Sequence, residues 1–251
     1  MRDLGRLLLL LALVVALACS SFPSRPRRVY AEPLESIVVA YVAYAQGDCE
    51  PAPSTLSQVL QPLSENLIDD PVEAEIAASG RLLIAFCAEQ RDSLEDAMEI
   101  YRVLTYDAPM SYAAGDARER LRSIRAERAG LDSPALKAVA RERASQGSSD
   151  RSPVERRPAA FPPLPFLAEL SGFVVVEFEV TPSGETAQPI VVASEPPLLF
   201  DGAALRAVRT WRYSVDTDGS ESPRQAIRLL FRSTEVDPDQ SVPELLDAAE
   251  Q

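Results

Sequence analysis

Histidine is absent from all 251 residues, which removes the usual general base, the commonest metal ligand and the side chain that titrates near neutral pH. Cysteine is scarce too. The three present, Cys19, Cys49 and Cys87, have no zinc-ligand spacing. Basic residues are in deficit, with 25 Lys and Arg against 38 Asp and Glu for a formal net charge of −13. That balance argues against a nucleic-acid partner, because phosphate binding needs a basic face. There is no nucleophile–base pair and no phosphate-cradling glycine loop, so neither catalysis nor a bound cofactor or metal is expected. The long apolar run near the start, Leu7 to Ala18, has 12 residues. A membrane-spanning helix needs about 20. What the chain does have is 46% hydrophobic residues, enough to build real cores.

Arg2 and Arg6 ahead of the Leu7–Ala18 run read as an export signal over residues 1–18. Val15-Ala16-Leu17-Ala18-Cys19 resembles the lipobox of bacterial lipoproteins, in which cleavage leaves Cys19 as a lipid-modified N-terminus. The rival reading is ordinary signal cleavage after Ala18, with Cys19 left as a plain thiol. Both readings place the protein outside the cytoplasm, in the periplasm. On the first, Cys19 holds it to a membrane, and Ser20 in place of Asp tilts the choice toward the outer one. With Cys19 lipidated, Cys49 and Cys87 remain as an even pair in an oxidising compartment, either as a disulfide or as two buried thiols.

A polar stretch over 19–33 reads as a tether, and a helical domain is expected over 34–145. Leu34, Ile37, Val38, Tyr41, Val42 and Ala45 recur at helical spacing until Gly47-Asp48 stops them. Further helices are expected at Ser54–Asn66, Val72–Glu89, Ser93–Tyr106, Ala113–Ala129 and Ser133–Ala144, with Asp92 and Glu95 as a capping box. Two helix pairs resemble tetratricopeptide repeats. In one, Ile84, Ala85 and Ala88 lie on the first helix, Ala97, Tyr101 and Leu104 on the second, and Pro109 follows; the other is carried by Tyr44 to Asp48 and Ala52. A generic helical bundle has the same stripes. Residues 146–160, polar and proline-rich with Arg151, Arg156 and Arg157, read as a linker with a solvated charge run.

At Gly172 the period changes from helical to alternating. Val174, Val176, Phe178 and Val180 share one face, with Glu177 and Glu179 on the other as a solvated pair without a partner base. Gly184 turns the chain into a second strand through Ile190 to Ala193. Asp201 then caps a helix, with Phe200 and Leu205 at hydrophobic-staple spacing. Leu205, Val208 and Trp211 follow along its side, Trp211 reading as a core anchor rather than a ligand platform. A last strand alternates Ile227, Leu229 and Phe231 against Arg228 and Arg232.

In order and spacing these features resemble the C-terminal domain of the TonB family: Leu164-Pro165 with Ala168, then Gly172, Val174, Val176, Phe178 and Val180, Gly184, Asp201 with Ala203 and Ala204, Trp211-Arg212-Tyr213, and Ile227 to Phe231. Leu164 stands where that family has Tyr. The resemblance covers residues 161–234, with an acidic tail at 235–251. With the helical domain ahead of it, it gives an α+β protein: an all-helical, tetratricopeptide-like domain followed by a small β-β-α-β domain. It also implies a non-enzymatic envelope protein that takes an extended segment of a protein partner, such as an outer-membrane transporter, onto a sheet edge. The strand Gln225, Ile227, Leu229, Phe231 and Ser233 is the expected edge. The alternative is a divergent energy transducer held in the inner membrane with ExbB and ExbD, although the histidine-bearing anchor and long proline-rich rod usual there have no counterpart in this sequence.

Overall fold

The computed structural model describes residues 31–50, 56, 57, 60, 71–130, 153–215 and 224–233. The export signal, Cys19, most of the tether, most of the helix expected at 54–66, the helix expected at 133–144, residues 146–152 and the acidic tail lie outside the described residues.

The N-terminal half is helical where described: α1 (Ala31–Ala45), α2 (Pro71–Gln90), α3 (Leu94–Asp107) and α4 (Tyr112–Arg128). Helix α1 begins ahead of Leu34, because Pro33 falls in the first turn, where its missing N–H has no intrahelical partner to lose. Gly47 ends it with φ of 83°. The buried stripe runs Leu34, Ile37, Tyr41 and Tyr44, while Val38 and Val42 are only half-buried. The disulfide Cys49–Cys87 ties the turn after α1 to the last turn of α2.

The capping box expected at Asp92 does not form. Asp92 takes φ of 59° to close the α2 end, and Ser93 occupies the cap position of α3 without a side-chain cap bond. The left-handed residue lets Ser93 N donate to the Ala88 carbonyl at 2.9 Å, so the tight turn consumes the residue that would have capped. Helices α2 and α3 pack through Ala85, Ala97, Tyr101 and Leu104, all fully buried. Helix α4 is capped twice. Ser111 Oγ accepts from Ala114 N at 3.0 Å, and the buried carboxylate of Glu75, on α2, accepts from Tyr112 N at 2.7 Å and Ala113 N at 3.3 Å.

The C-terminal module has β1 (Pro153–Glu155), α5 (Pro163–Leu167), β2 (Gly172–Val180), β3 (Thr186–Glu195), α6 (Asp201–Thr210), β4 (Arg212–Tyr213) and β5 (Gln225–Phe231). The fold is thus α+β, a helical region followed by a small sheet module. Its three-stranded antiparallel sheet has the order β3-β2-β5, and β1 pairs with β4 in a separate two-stranded ribbon. Val174, Val176, Phe178 and Val180 face inward with Leu229 and Phe231, against Ala203, Ala204, Leu205 and Val208 of α6. Rings close this core: Phe200 stacks on Phe231 at 4.6 Å and Phe161 meets both edge-on.

Two parts of the expected linker belong to the module instead. Pro153 pairs with Tyr213, and the Trp211 indole donates to the Arg157 carbonyl at 2.8 Å. Arg156 stays exposed, as expected of a solvated charge run, with its guanidinium 4.4 Å from the centre of the Trp211 ring.

The two halves also share one core. Helix α4 crosses α6, where the Arg206 guanidinium donates to Asp116 at 2.5 Å and Arg209 to Glu119 at 3.1 Å. Tyr44 Oη donates to the Pro197 carbonyl at 3.0 Å. At the crossing, Gly202 lies against Asp116 and Gly115 against Arg206, so small residues allow the close approach.

Candidate functional site

Strand β5 holds its place by pairing with β2 over seven residues, from Phe178↔Gln225 to Gly172↔Phe231. The ladder is antiparallel, and among the described residues no strand lies on the far side of β5. Its outer row of backbone N–H and C=O groups is therefore a sheet edge. Alternation decides which side chains stand beside that edge.

Gln225, Leu229 and Phe231 are buried and Ile227 is partly buried, all toward α6. Of the residues assigned to the edge from the sequence, these contribute backbone to it and core contacts from their side chains. Ser233 lies past the strand, where its N–H donates to Ser171 Oγ at 3.3 Å and its own hydroxyl donates to the Glu169 carbonyl. The side chains that border the edge on the opposite face are Ala226, Arg228 and Leu230, of which Arg228 and Leu230 are exposed. Arg228 lies 4.0 Å over the Phe173 ring. The alternation of Arg with apolar residues in the sequence carried that signal.

The same outer face corrects the reading of Glu177 and Glu179 as solvated. Glu177 is 1% exposed, and Arg224 binds both carboxylates, Glu177 at 2.6 Å and Glu179 at 2.5 Å, with a further bond to the Gln188 carbonyl. The partner was invisible because it comes from the lead-in to β5, some 45 residues downstream in sequence. This clasp ties the start of β5 to β2 and matches the positive charge of Arg224 internally.

A second concave region, of about 240 Å³, lies between α4, α6 and β3 and is lined by Asp116, Arg120, Glu127, Ser194 and Asp201, with Phe86 and Leu205 beneath. Arg120 is held by Glu89 at 2.6 Å and Glu127 at 2.8 Å. Asp201, expected as a helix cap, is the first residue of α6, and Phe200 takes the cap position. Burial pushes the Asp201 carboxyl up to about 6, with a bond from Ser194 pulling the other way. Its Oδ1 has no partner among the described residues. Burial also raises the Asp116 and Glu75 carboxyls. Trp211 is 1% exposed and packs edge-on against Phe178, the core anchor its sequence context implied. Among the described residues no group of three or more His, Cys, Asp or Glu could hold a metal, and no helix is long and apolar enough to cross a membrane.

The order of strands, the α6 start and the edge strand make a small β-β-α-β sheet module. Residues 157–232 match the family model for the Gram-negative bacterial TonB protein C-terminal, which covers the module beyond β1 and not the helical region. Among solved structures, the chain is similar to the solution NMR structure of the Pseudomonas aeruginosa TonB C-terminal domain, at 25% identity over 34% of this chain and 86% of that one, with a TM-score of 0.28. No curated protein matches the chain.

Proposed function

We propose that this is a non-enzymatic cell-envelope protein of TonB-like type, which binds an extended segment of an envelope protein along the β5 edge in transport across the outer membrane. The observation that supports it is the geometry of β5: seven residues in register with β2 and, among the described residues, an unpaired outer edge. An added strand supplies the missing main-chain hydrogen bonds, and this gives affinity with little demand on sequence. The helical region, read as tetratricopeptide-like and with its α2–α3 pair packed through Ala85 and Ala97, offers a second protein-binding surface. On this reading lipidated Cys19 holds the protein at the membrane, in the periplasm, and the partner is an outer-membrane transporter.

The test places a photo-crosslinking amino acid at residue 230, beside the edge, or at the exposed residue 154 on β1, and illuminates intact cells. A discrete adduct with one envelope protein is expected from residue 230 and not from residue 154, and Cys19→Ala should release the protein from the membrane fraction and weaken the adduct. Equal adducts from both positions, or none from residue 230, would remove the edge as the docking site.

A further inference from the structure

The exposed face of β5 carries an arginine whose charge is unmatched among the described residues. The Arg228 side chain makes no hydrogen bond or ion pair there, and its guanidinium lies over the face of Phe173 at 4.0 Å. At the start of the strand the situation is the opposite, because Arg224 is matched by Glu177 and Glu179. Two residues beyond Arg228, on the same face, Leu230 is 55% exposed. On a chain of net charge −13, an outward arginine beside an outward leucine is a local reversal of sign on a strand whose outer edge is open among the described residues.

We propose that the β5 edge selects an extended segment bearing a carboxylate opposite Arg228 and, two residues along, an apolar side chain opposite Leu230. This rests on the edge reading above and adds the chemistry of the segment. Side chains directly across an antiparallel or parallel pair lie close enough to interact, and residues two apart on the incoming strand fall on the same face. Contact with the Phe173 ring restrains the Arg228 side chain, so less freedom is lost when its paired N–H donors meet a carboxylate. Leu230 loses exposed apolar surface on contact with an apolar neighbour. A basic residue opposite Arg228 would face like charge and be disfavoured.

The experiment uses the full chain and fluorescent eight-residue peptides of alternating threonine and valine, blocked at both ends, with glutamate at one position and leucine two positions along. Comparison peptides have glutamine or lysine in place of the glutamate, and binding is read by anisotropy at low salt. The glutamate peptide should bind about fivefold more tightly than the lysine peptide. Arg228→Glu should reverse that order, and Arg228→Gln should level it; because the side chain is exposed, both variants should keep the parent circular-dichroism spectrum. Equal binding of all three peptides to the parent protein overturns the selectivity and leaves the edge reading standing. Binding of none overturns both. Binding of the glutamate peptide only after residues 235–251 are removed would assign the edge to the chain's own acidic segment and overturn the partner proposal.

Discussion

At Asp201 two influences on a carboxyl group oppose each other. Burial disfavours the charged form, while a bond from Ser194 and the nearby Arg120 charge favour it. Burial wins, and the group titrates near 6 in the folded protein against an ordinary 3.8. Between those values the folded state holds more proton than the unfolded chain. The contribution of Asp201 to stability is therefore fullest below about pH 4 and is lost as pH rises through 6. Asp201→Asn should remove this loss: the variant is expected to exceed its parent by up to about 3 kcal/mol at pH 7.5, with the gap closing by pH 4. Urea unfolding followed through Trp211 fluorescence at both pH values measures it. If the slope is unchanged, the dependence belongs to Asp116 and Glu75, which burial shifts the same way.

Between elements, the crossing of α4 and α6 is the least forgiving contact. A Cβ on Gly202 would sit 2.7 Å from the Asp116 Cα and overlap its carboxylate, and a backbone atom cannot swing aside. A Cβ on Gly115 would meet the Arg206 guanidinium at 3.0 Å, the far end of a flexible side chain. Gly202→Ala should therefore cost about 1–3 kcal/mol, whereas Gly115→Ala should be near neutral, its crowding offset by about 1 kcal/mol of helix propensity; thermal melts by circular dichroism separate the two. This crossing was not legible in the sequence. The stripe on a helix tells which face is buried but not what covers it, and the pairing of α4 with α6 joins residues 90 apart. Strands β2 and β5 were legible because each has a strict two-residue period and an ordered set of landmarks, Gly172, Gly184, Asp201 and Trp211. Strand β1 was not, since three residues beginning with a proline show no period. Helices α2, α3 and α4 were legible to within a residue or two, because their Asp-Pro and Ala-Pro boundaries are local chemistry. Arg228 and Leu230 were visible as alternation, but the edge had been assigned to the inward residues between them.

For the molecule as a whole, the shared core means that the helical region and the sheet module should unfold together. The Cys49–Cys87 disulfide lies in the helical half and the lone tryptophan in the other, so each can report on its neighbour. A cross-link over 38 residues contributes roughly 2–4 kcal/mol. Reduction should lower the melting temperature read from Trp211 by on the order of 10 °C, and by the same amount as that read from helical circular dichroism. A Trp211 transition that ignores reductant would show two independent units. The joint between the halves has one more consequence. The unit recognised by family likeness begins at residue 157, but Arg206 and Arg209 have their carboxylate partners on α4, and β1 lies upstream of that point. Excised at that boundary, the module would carry two stranded cations and a bared helix flank into solvent. It is not a cassette that can be moved intact between proteins, because in this chain it is half of a larger solid.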